Sequence, residues 1–324
     1  MSANVLAVRD LSVALTLAGE QVPVVDGVSF DVAAGETVAL VGESGCGKSM
    51  AMLSIMGLQP PVARVTGGTV QLGGNDLLAA GEERRRAARG AEIAMVYQDP
   101  MTSLNPMMRV GDQIAEVYLA HGRSKADGRA RAVDVLTRVG IPRAERAARA
   151  FPHEFSGGMR QRVVIAMALA LNPQVLIADE PTTALDVTIQ QQIIALVRQL
   201  QDETGMAVVW VTHDLGVVAR TAGRVLVMYA GHIVEAAPTR RLFGQPQHPY
   251  TAGLIRAIPP VRGDERPPLQ QIPGTPPAPV NRPPGCPFHP RCPQAVQKCA
   301  AETPLLTDRA GSWAACWVPP EEWS

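Results

Sequence analysis

The sequence predicts an α/β fold in which helices cover a mostly parallel sheet, and three observations lead to this prediction. Short apolar, β-prone segments alternate along the chain with segments of helical spacing, as at 175–178 and then 189–200. Such alternation is typical of a parallel sheet with helices on both faces. A glycine-rich loop joins a predicted strand at 37–41 to a predicted helix at 50–56, and a mainly helical stretch follows at 107–155.

The composition describes an ordinary globular protein. The chain has 324 residues, of which 46% are hydrophobic and 19% are charged, so it has room for more than one domain. Its formal net charge of zero argues against a nucleic-acid partner. We expect no signal peptide, because no basic segment precedes an apolar one in the first ten residues. The longest apolar run, near 163–171, is about half of what a membrane span needs.

The N-terminal part predicts an antiparallel β subdomain. Residues 4–17 alternate apolar and polar side chains and predict one or two strands, and 24–32 predicts another. A short strand between glycine turns is expected at 67–74. The charged segment 82–89 predicts an exposed helix, and 93–97 predicts a buried strand.

A helical insertion then interrupts the α/β pattern. Further along the chain, helices are predicted at 109–120, 125–139, 143–150 and 157–171, and strands at 175–178, 207–211 and 224–228. We expect one nucleotide-binding domain over 1–237, with a helical subdomain at about 101–165. Residues 238–324 form a predicted C-terminal extension that is rich in proline and irregular in structure.

The loop at 42–49 reads G-x-x-x-x-G-K-S between a strand and a helix, which is the context of a P-loop. Its glycines let backbone N–H groups point at phosphate oxygens, with the positive end of the following helix behind them. We expect Lys48 to reach the β- and γ-phosphates and the Ser49 hydroxyl to bind Mg²⁺. The predicted nucleotide-binding residues of this motif are Gly42, Ser44, Gly45, Cys46, Gly47, Lys48, Ser49 and Met50.

Two further patterns carry nucleotide chemistry. An apolar strand ends in Asp179, which can hold Mg²⁺, and Glu180, which can polarise an attacking water. Ser156, Gly157 and Gly158 open a helix, and a serine cap with glycines at a helix N-terminus binds anions. Since one nucleotide does not need both anion sites, we expect a dimer with each nucleotide held between two chains.

These motifs resemble those of the ATP-binding subunits of ABC transporters, and the resemblance covers nearly the whole chain. Residues 156–159 are similar to the family signature, with Met159 where glutamine is commoner. The resemblance implies that Gln98 senses Mg²⁺ and the attacking water, that 184–186 is the D-loop, and that His213 contacts the γ-phosphate. It implies a P-loop NTPase fold of the ABC cassette type that hydrolyses ATP. The residues implied at Mg²⁺ are Ser49, Gln98 and Asp179.

One feature departs from the family. ABC cassettes usually stack an aromatic side chain on adenine from a segment before the P-loop, and residues 21–25 contain none. Val22 or Val24 could pack on the base instead, at a loss on the order of 1–3 kcal/mol of stacking.

Residues 97–106 and 248–251 are similar to the D-type ATPases of dipeptide and oligopeptide importers. This resemblance implies a heterodimer with a different, F-type ATPase, although a second copy of this chain stays open as the partner. It also implies two membrane permeases, an extracytoplasmic binding protein and a peripheral location on the cytoplasmic face of the inner membrane. Members of this group carry dipeptides, longer peptides, glutathione or nickel chelates, and the sequence does not choose among them.

The C-terminal extension contains Cys286, Cys292, Cys299 and Cys316, with no close pair of the kind that zinc sites use. Proline directly follows Cys286 and Cys292, as proline follows one cysteine in bacterial ferredoxins. We therefore predict a [4Fe–4S] cluster, with zinc, free thiols and disulfides as alternatives. Metal would support a segment that cannot build a core of its own. The D-type resemblance implies the same cluster, because some members carry one.

Two other classes of function compete with the importer. ABC-type ATPases that act on ribosomes or DNA usually have two cassettes or a long coiled coil, and this chain has neither. A regulatory subunit without hydrolysis would lack Glu180 or His213, and both are present.

Overall fold

The computed structural model describes residues 4–183, 185–258, 271–309 and 311–323. Its contacts group the chain into two compact units. The first unit consists of Met1–Leu6, Val32–Glu36 and Leu72–Val209, and the second of Ala7–Asp31, Thr37–Gln71 and Trp210–Ser324. Ala184 of the predicted D-loop and residues 259–270 of the proline-rich segment lie outside the described residues.

Strands and helices alternate along the chain. The strands are β1 Asn4–Leu17, β2 Glu20–Ala33, β3 Thr37–Val41, β4 Ala63–Leu72, β5 Asn75–Asp76, β6 Ile93–Val96, β7 Val175–Asp179, β8 Ala207–Thr212, β9 Arg224–Tyr229, β10 His232–Pro238, β11 Thr307–Arg309 and β12 Ser312–Ala314. The α-helices are α1 Lys48–Ile55, α2 Glu82–Ala88, α3 Pro100–Ser103, α4 Val110–Ala120, α5 Lys125–Arg138, α6 Ala144–Ala147, α7 Gly157–Leu169, α8 Val187–Thr204, α9 Leu215–Thr221, α10 Thr239–Gly244, α11 Pro249–Arg256 and α12 Gln297–Ala301. Short 3-10 helices lie at Pro152–Glu154, Pro279–Asn281, His289–Arg291 and Pro320–Glu322.

In the first unit, β6 and β7 pair in parallel, with Val96 opposite Ala178. Both strands consist of buried residues, as their short apolar runs predicted. The carboxyl ends of parallel strands meet at the same edge of a sheet. This pairing therefore brings Gln98, two residues beyond β6, towards Asp179 and Glu180 at the end of β7.

The helical insertion of the first unit contains α4 to α7. The Ser124 side chain accepts a hydrogen bond from the Asp127 N–H at 3.1 Å and so caps α5. The predicted helix at 143–150 is shorter than expected and covers only Ala144–Ala147. Beyond it, the carbonyl oxygens of Ala148 and Ala150 accept tertiary hydrogen bonds, each at 2.9 Å, from the N–H groups of Gly111 and Val110.

The second unit contains strands of two sheets. The antiparallel N-terminal sheet has the order β2-β1-β4, and the other sheet has the order β11-β12-β10-β9-β3. Strands β3 and β9 are parallel, with Val41 opposite Val227. The P-loop that follows β3 therefore lies beside the turn that follows β9.

The C-terminal extension is more regular than predicted. Strand β12 pairs with β10, with Glu235 opposite Ala314, and β11 extends this antiparallel arrangement. A buried core joins the extension to β9, since Tyr229, Tyr250 and Phe288 pack together with ring centroids 4.7–5.4 Å apart. Aromatic packing and strand pairing thus stabilise a segment that its proline content predicted to be irregular.

The observed architecture confirms the predicted fold class. It is α/β, with an antiparallel sheet, a mostly parallel sheet and a helical insertion. Among the residues that the structure describes, no helix has both the length and the apolar character that a membrane crossing requires.

Candidate functional site

The P-loop is the turn between β3 and α1, and two of its glycines are required by close backbone approach. A Cβ atom on Gly42 would lie 2.2 Å from the carbonyl oxygen of Met228. Gly47 has a φ of +104°, and a Cβ there would lie 2.7 Å from the carbonyl oxygen of Val24. No side chain fits at either position, so only glycine lets the loop pass this close to the backbone at Met228 and Val24.

Lys48 is buried beneath this loop with only 5% of its surface exposed. Its Nζ atom donates hydrogen bonds to the carbonyl oxygens of Gly42 at 2.8 Å and Glu43 at 3.0 Å. Ser44, Gly45 and Ser49 are exposed around it. A charged donor held by neutral carbonyls beside an exposed, glycine-rich turn fits a nucleotide phosphate, because ionised oxygens make stronger partners.

Cys46 belongs to the packing of the loop. It is 3% exposed, and its Sγ atom lies 3.7 Å from Lys48 Nζ. Burial raises the pKa of the Cys46 thiol. Its side chain is a buried hydrophobic contact at neutral pH, and its contribution to nucleotide binding would come from the backbone.

The carboxyl end of β7 holds the predicted acidic pair in the first unit. Asp179 is 5% exposed at the last position of the strand. Glu180 has a φ of 47°, an uncommon backbone conformation that turns the chain away from the strand direction. The Glu180 carboxylate accepts hydrogen bonds from Gln98 Nε2 and from Thr183 Oγ1, both at 2.9 Å. The structure thus brings Gln98 and Glu180 into direct contact.

The serine–glycine motif opens α7, also in the first unit. The Ser156 hydroxyl caps the helix by accepting from the Met159 N–H at 3.4 Å. Ser156 and Gly157 are exposed, whereas Gly158 is buried against α8, where a Cβ would lie 2.7 Å from Ile189. The helix N-terminus is therefore open to an external anion.

The remaining predicted motifs lie at helix starts. Asp186 caps α8 by accepting from the Ile189 N–H at 2.9 Å. His213 is an exposed residue between β8 and the α9 cap, Asp214. Because Ala184 is outside the described residues, the D-loop role of 184–186 stays a prediction, as does contact of His213 with a phosphate.

The segment expected to contact adenine, residues 21–25, does not offer the valine surface that was expected. Val22 and Val24 are only 7% and 8% exposed, so neither side chain presents a free face on which a base could pack. Their burial follows from the alternation of β2, which turns Gln21 and Pro23 to the outside.

The four cysteines of the extension are free thiols in the second unit. Cys286 and Cys299 are buried, and the Cys286 N–H donates to the Cys299 carbonyl oxygen at 2.8 Å. Burial is the main cause that raises the pKa of Cys286 to about 11 and that of Cys292 to about 12, and the neighbouring thiols raise both further. Over the described part of the chain, no three His, Cys, Asp or Glu side chains are spaced to hold a metal ion.

The sequence patterns did not identify three residues that hold Glu43 of the P-loop, either directly or through Arg291. Tyr250 and Arg291 bond directly to Glu43, and Tyr229 bonds to Arg291. Arg291 is 248 residues away from Glu43 in the chain, and no local pattern predicts such a pair.

Comparisons with known proteins agree with this geometry. The family described as "ABC transporter" matches residues 25–183, and "Oligopeptide/dipeptide transporter, C-terminal region" matches 234–299. The dipeptide transport ATP-binding protein DppD of Bacillus subtilis is 50% identical over 320 residues, which are 97% of this chain and 95% of that protein. The oligopeptide transport ATP-binding protein OppD of Salmonella typhimurium is 47% identical, with 99% and 96% covered.

Solved structures lead to the same family. The dimeric, post-hydrolysis ATP-binding cassette MJ0796 bound to ADP and Pi matches with a TM-score of 0.64 and 28% identity, covering 72% of this chain and 99% of that one. The cbiO1 protein of Clostridium perfringens, part of an ABC transporter complex, has a TM-score of 0.64 and 25% identity, with 75% and 91% covered. The chain therefore belongs to the ABC transporter family, as an ATPase subunit in the group of dipeptide and oligopeptide transport ATP-binding proteins.

Proposed function

We propose that the P-loop holds the phosphates of ATP and that the end of β7 supplies the hydrolytic groups. Lys48 leaves the loop carbonyls to donate to the β- and γ-phosphates, while the loop N–H groups bind the same oxygens. Ser49, Gln98 and Asp179 are the residues that would hold Mg²⁺, as the resemblance to ABC cassettes implies. When bound, Mg²⁺ neutralises charge that develops on the phosphate oxygens.

Glu180 is the proposed general base, and its contact with Gln98 is the observation that carries this role. Hydrogen bonds from the Gln98 amide and the Thr183 hydroxyl orient this carboxylate, which can then accept a proton from water. Gln98, which follows β6 and precedes the helical insertion of the first unit, donates a hydrogen bond to the same carboxylate. His213 is the proposed ligand of the γ-phosphate, in keeping with its exposure after β8.

The second anion site belongs, in this proposal, to a dimer. The open helix start formed by Ser156, Gly157 and Gly158 binds a nucleotide held by the P-loop of another ATPase subunit. The MJ0796 cassette, whose solved form is dimeric, supports this arrangement. We assign the partner to an F-type ATPase, with a second copy of this chain as the alternative.

The wider machine follows from the group to which the chain belongs. The relatives DppD and OppD are named for dipeptide and oligopeptide transport. We propose the same cargo class here, with glutathione or a nickel chelate as alternatives. The subunit would bind two permeases at the cytoplasmic face of the inner membrane, with a binding protein on the other side and no nucleic acid.

The four cysteines are proposed to bind a [4Fe–4S] cluster. The support for this proposal is the sequence pattern of four cysteines, with proline directly after Cys286 and Cys292, whereas in the described part of the chain these thiols are not spaced to hold a metal ion. Cys299 and Cys316 complete the thiolate ligands that such a cluster needs. Zinc is the alternative metal.

One experiment tests the transport role. The chain is purified from detergent extract of its own cells, the co-purifying proteins are identified, and ATP hydrolysis is measured with and without peptide-loaded binding protein. We expect two permeases, a second ATPase and hydrolysis that rises with loaded binding protein. Purification without permeases, or hydrolysis indifferent to peptide, would contradict the proposal.

A further inference from the structure

Glu43, inside the P-loop, has each of its polar groups held by another residue. Its N–H donates to the Tyr250 hydroxyl at 2.9 Å, and its carbonyl oxygen accepts from Lys48 at 3.0 Å. Its carboxylate is bound by both terminal nitrogens of Arg291, at 2.7 and 3.0 Å. This bidentate ion pair fixes the orientation of the Glu43 carboxylate and also balances its charge.

Arg291 is itself rigidly held by the C-terminal extension. Its Nε atom donates to the Pro273 carbonyl oxygen at 2.8 Å, and Nη1 also donates to the Tyr229 hydroxyl at 3.3 Å. Its guanidinium carbon lies 5.8 Å and 6.0 Å from the ring centroids of Tyr229 and Phe288. With 6% of its side chain exposed, Arg291 cannot swing away from Glu43 without breaking this packing.

A carboxylate in an anion-binding loop needs an explanation. Unpaired, the Glu43 carboxylate would repel nucleotide phosphates and compete with them for Lys48. The ion pair with Arg291 removes that repulsion. The hydrogen bond to Glu43 is also the main cause that raises the pKa of Arg291, so the guanidinium stays charged at any physiological pH.

We propose that Arg291 is a positioning residue for the P-loop, which neutralises and orients Glu43 so that the loop binds nucleotide phosphates. The C-terminal extension thereby sets the nucleotide affinity of the ATPase through a contact of its own. Arg291 directly precedes Cys292 in the chain. One side chain of the cysteine-containing segment therefore contacts the P-loop directly, at Glu43. This inference rests on the proposed binding of ATP by the P-loop.

The test measures binding of MgATP and MgADP to the full chain, by titration with fluorescent nucleotide analogues. We expect Arg291→Met to weaken ATP binding about tenfold, equal to about 1.4 kcal/mol. The loss of ADP affinity should be smaller, because ADP carries less negative charge for the unpaired Glu43 carboxylate to repel. Adding Glu43→Gln to Arg291→Met should restore ATP affinity to within about threefold of wild type, since the repelling acid is gone.

Matched control variants distinguish the positioning role of Arg291 from a general contribution to the stability of the C-terminal extension. Arg309 binds the carbonyl oxygen of Cys316 in the same extension, and Arg309→Met should leave ATP affinity within about twofold of wild type. Should Arg291→Met fail to fold, Arg291→Lys serves instead, with a smaller loss that Glu43→Gln again relieves. The thermal midpoint of each variant is recorded alongside.

Several outcomes overturn the inference. Wild-type affinity in Arg291→Met would do so, as would equal losses for ATP and ADP, absence of rescue by Glu43→Gln, or an equal loss in Arg309→Met. Failure of the proposed function is distinguishable, because then wild-type protein would not bind MgATP, or Lys48→Ala would bind it equally well.

Discussion

Gln98 and Glu180 lie 82 residues apart in the chain, yet Gln98 Nε2 donates a hydrogen bond of 2.9 Å to Glu180 Oε2. The parallel pairing of β6 with β7 makes this contact possible, because both residues follow the carboxyl end of their strand. Thr183 binds the same carboxylate oxygen. These two donors orient the carboxylate, as the role of general base requires.

Glu180→Gln should therefore retain ATP binding and lose nearly all turnover. The amide keeps an acceptor for Gln98 and Thr183 but cannot take a proton, and loss of a general base costs about 10²–10⁴ in rate. Steady-state phosphate release by the assembled transporter measures the effect, with Glu203→Gln, an exposed acid on α8, as control. Undiminished hydrolysis would refute the role of Glu180, whereas accumulation of an ATP-bound dimer would support it.

Lys48→Ala should weaken nucleotide binding by about 10- to 100-fold, because a hydrogen bond to a charged group contributes about 1.5–3 kcal/mol. The substitution also removes the hydrogen bonds to Gly42 and Glu43, so the loop loses an internal support. Equilibrium titration with a fluorescent ATP analogue measures the change. Lys125→Ala, an exposed lysine at the start of α5, is the matched control and should bind as wild type.

Discrimination between ATP and GTP should be modest. Residues 21–25 contain no aromatic side chain, and the two valines of this segment are buried, so base stacking from this segment is absent. Competition titrations with both nucleotides measure the preference. A preference for ATP above about a thousandfold, or 4 kcal/mol, would require an adenine contact from another part of the chain.

His248 should make the fold sensitive to acid. It is fully buried at the α11 cap, where burial lowers its pKa from an ordinary 6.5 to about 3. Between these values the unfolded chain binds a proton that the folded chain does not, so stability is complete above pH 6.5 and falls as the pH drops. The slope is up to about 1.4 kcal/mol per pH unit.

His248→Asn keeps a cap acceptor for the Tyr250 N–H and should flatten this dependence between pH 6.5 and 4. Urea unfolding at several pH values gives the slope. His153→Asn, an exposed histidine, should leave the slope unchanged. Equal slopes in wild type and His248→Asn would mean that the imidazole is protonated in the folded protein.

The proposed cluster predicts brown protein after anaerobic purification, with about four irons per chain. Replacement of Cys286, Cys292, Cys299 or Cys316 by serine should abolish the iron. Cys46→Ser should not, because Cys46 packs inside the P-loop. Stoichiometric zinc without iron would contradict the cluster but keep the four-cysteine site, and no metal with four freely alkylated thiols would contradict both.

The sequence by itself determined the elements whose geometry is local. The P-loop, the acidic end of β7 and the serine cap of α7 each depend on residues within one strand, turn or helix start, where backbone sterics and nearby hydrogen bonds decide the conformation. Their alternation also predicted the α/β class correctly.

Only the tertiary structure decided which distant surfaces meet. It joined the segment after α6 to Gly111 and Val110 by hydrogen bonds, added β11 and β12 to β10, and buried Val22 and Val24. It also joined Arg291 to Glu43 across 248 residues. The physical reason is that such contacts depend on complementary charge and shape between segments that only the packed core brings together, and no local spacing encodes that meeting.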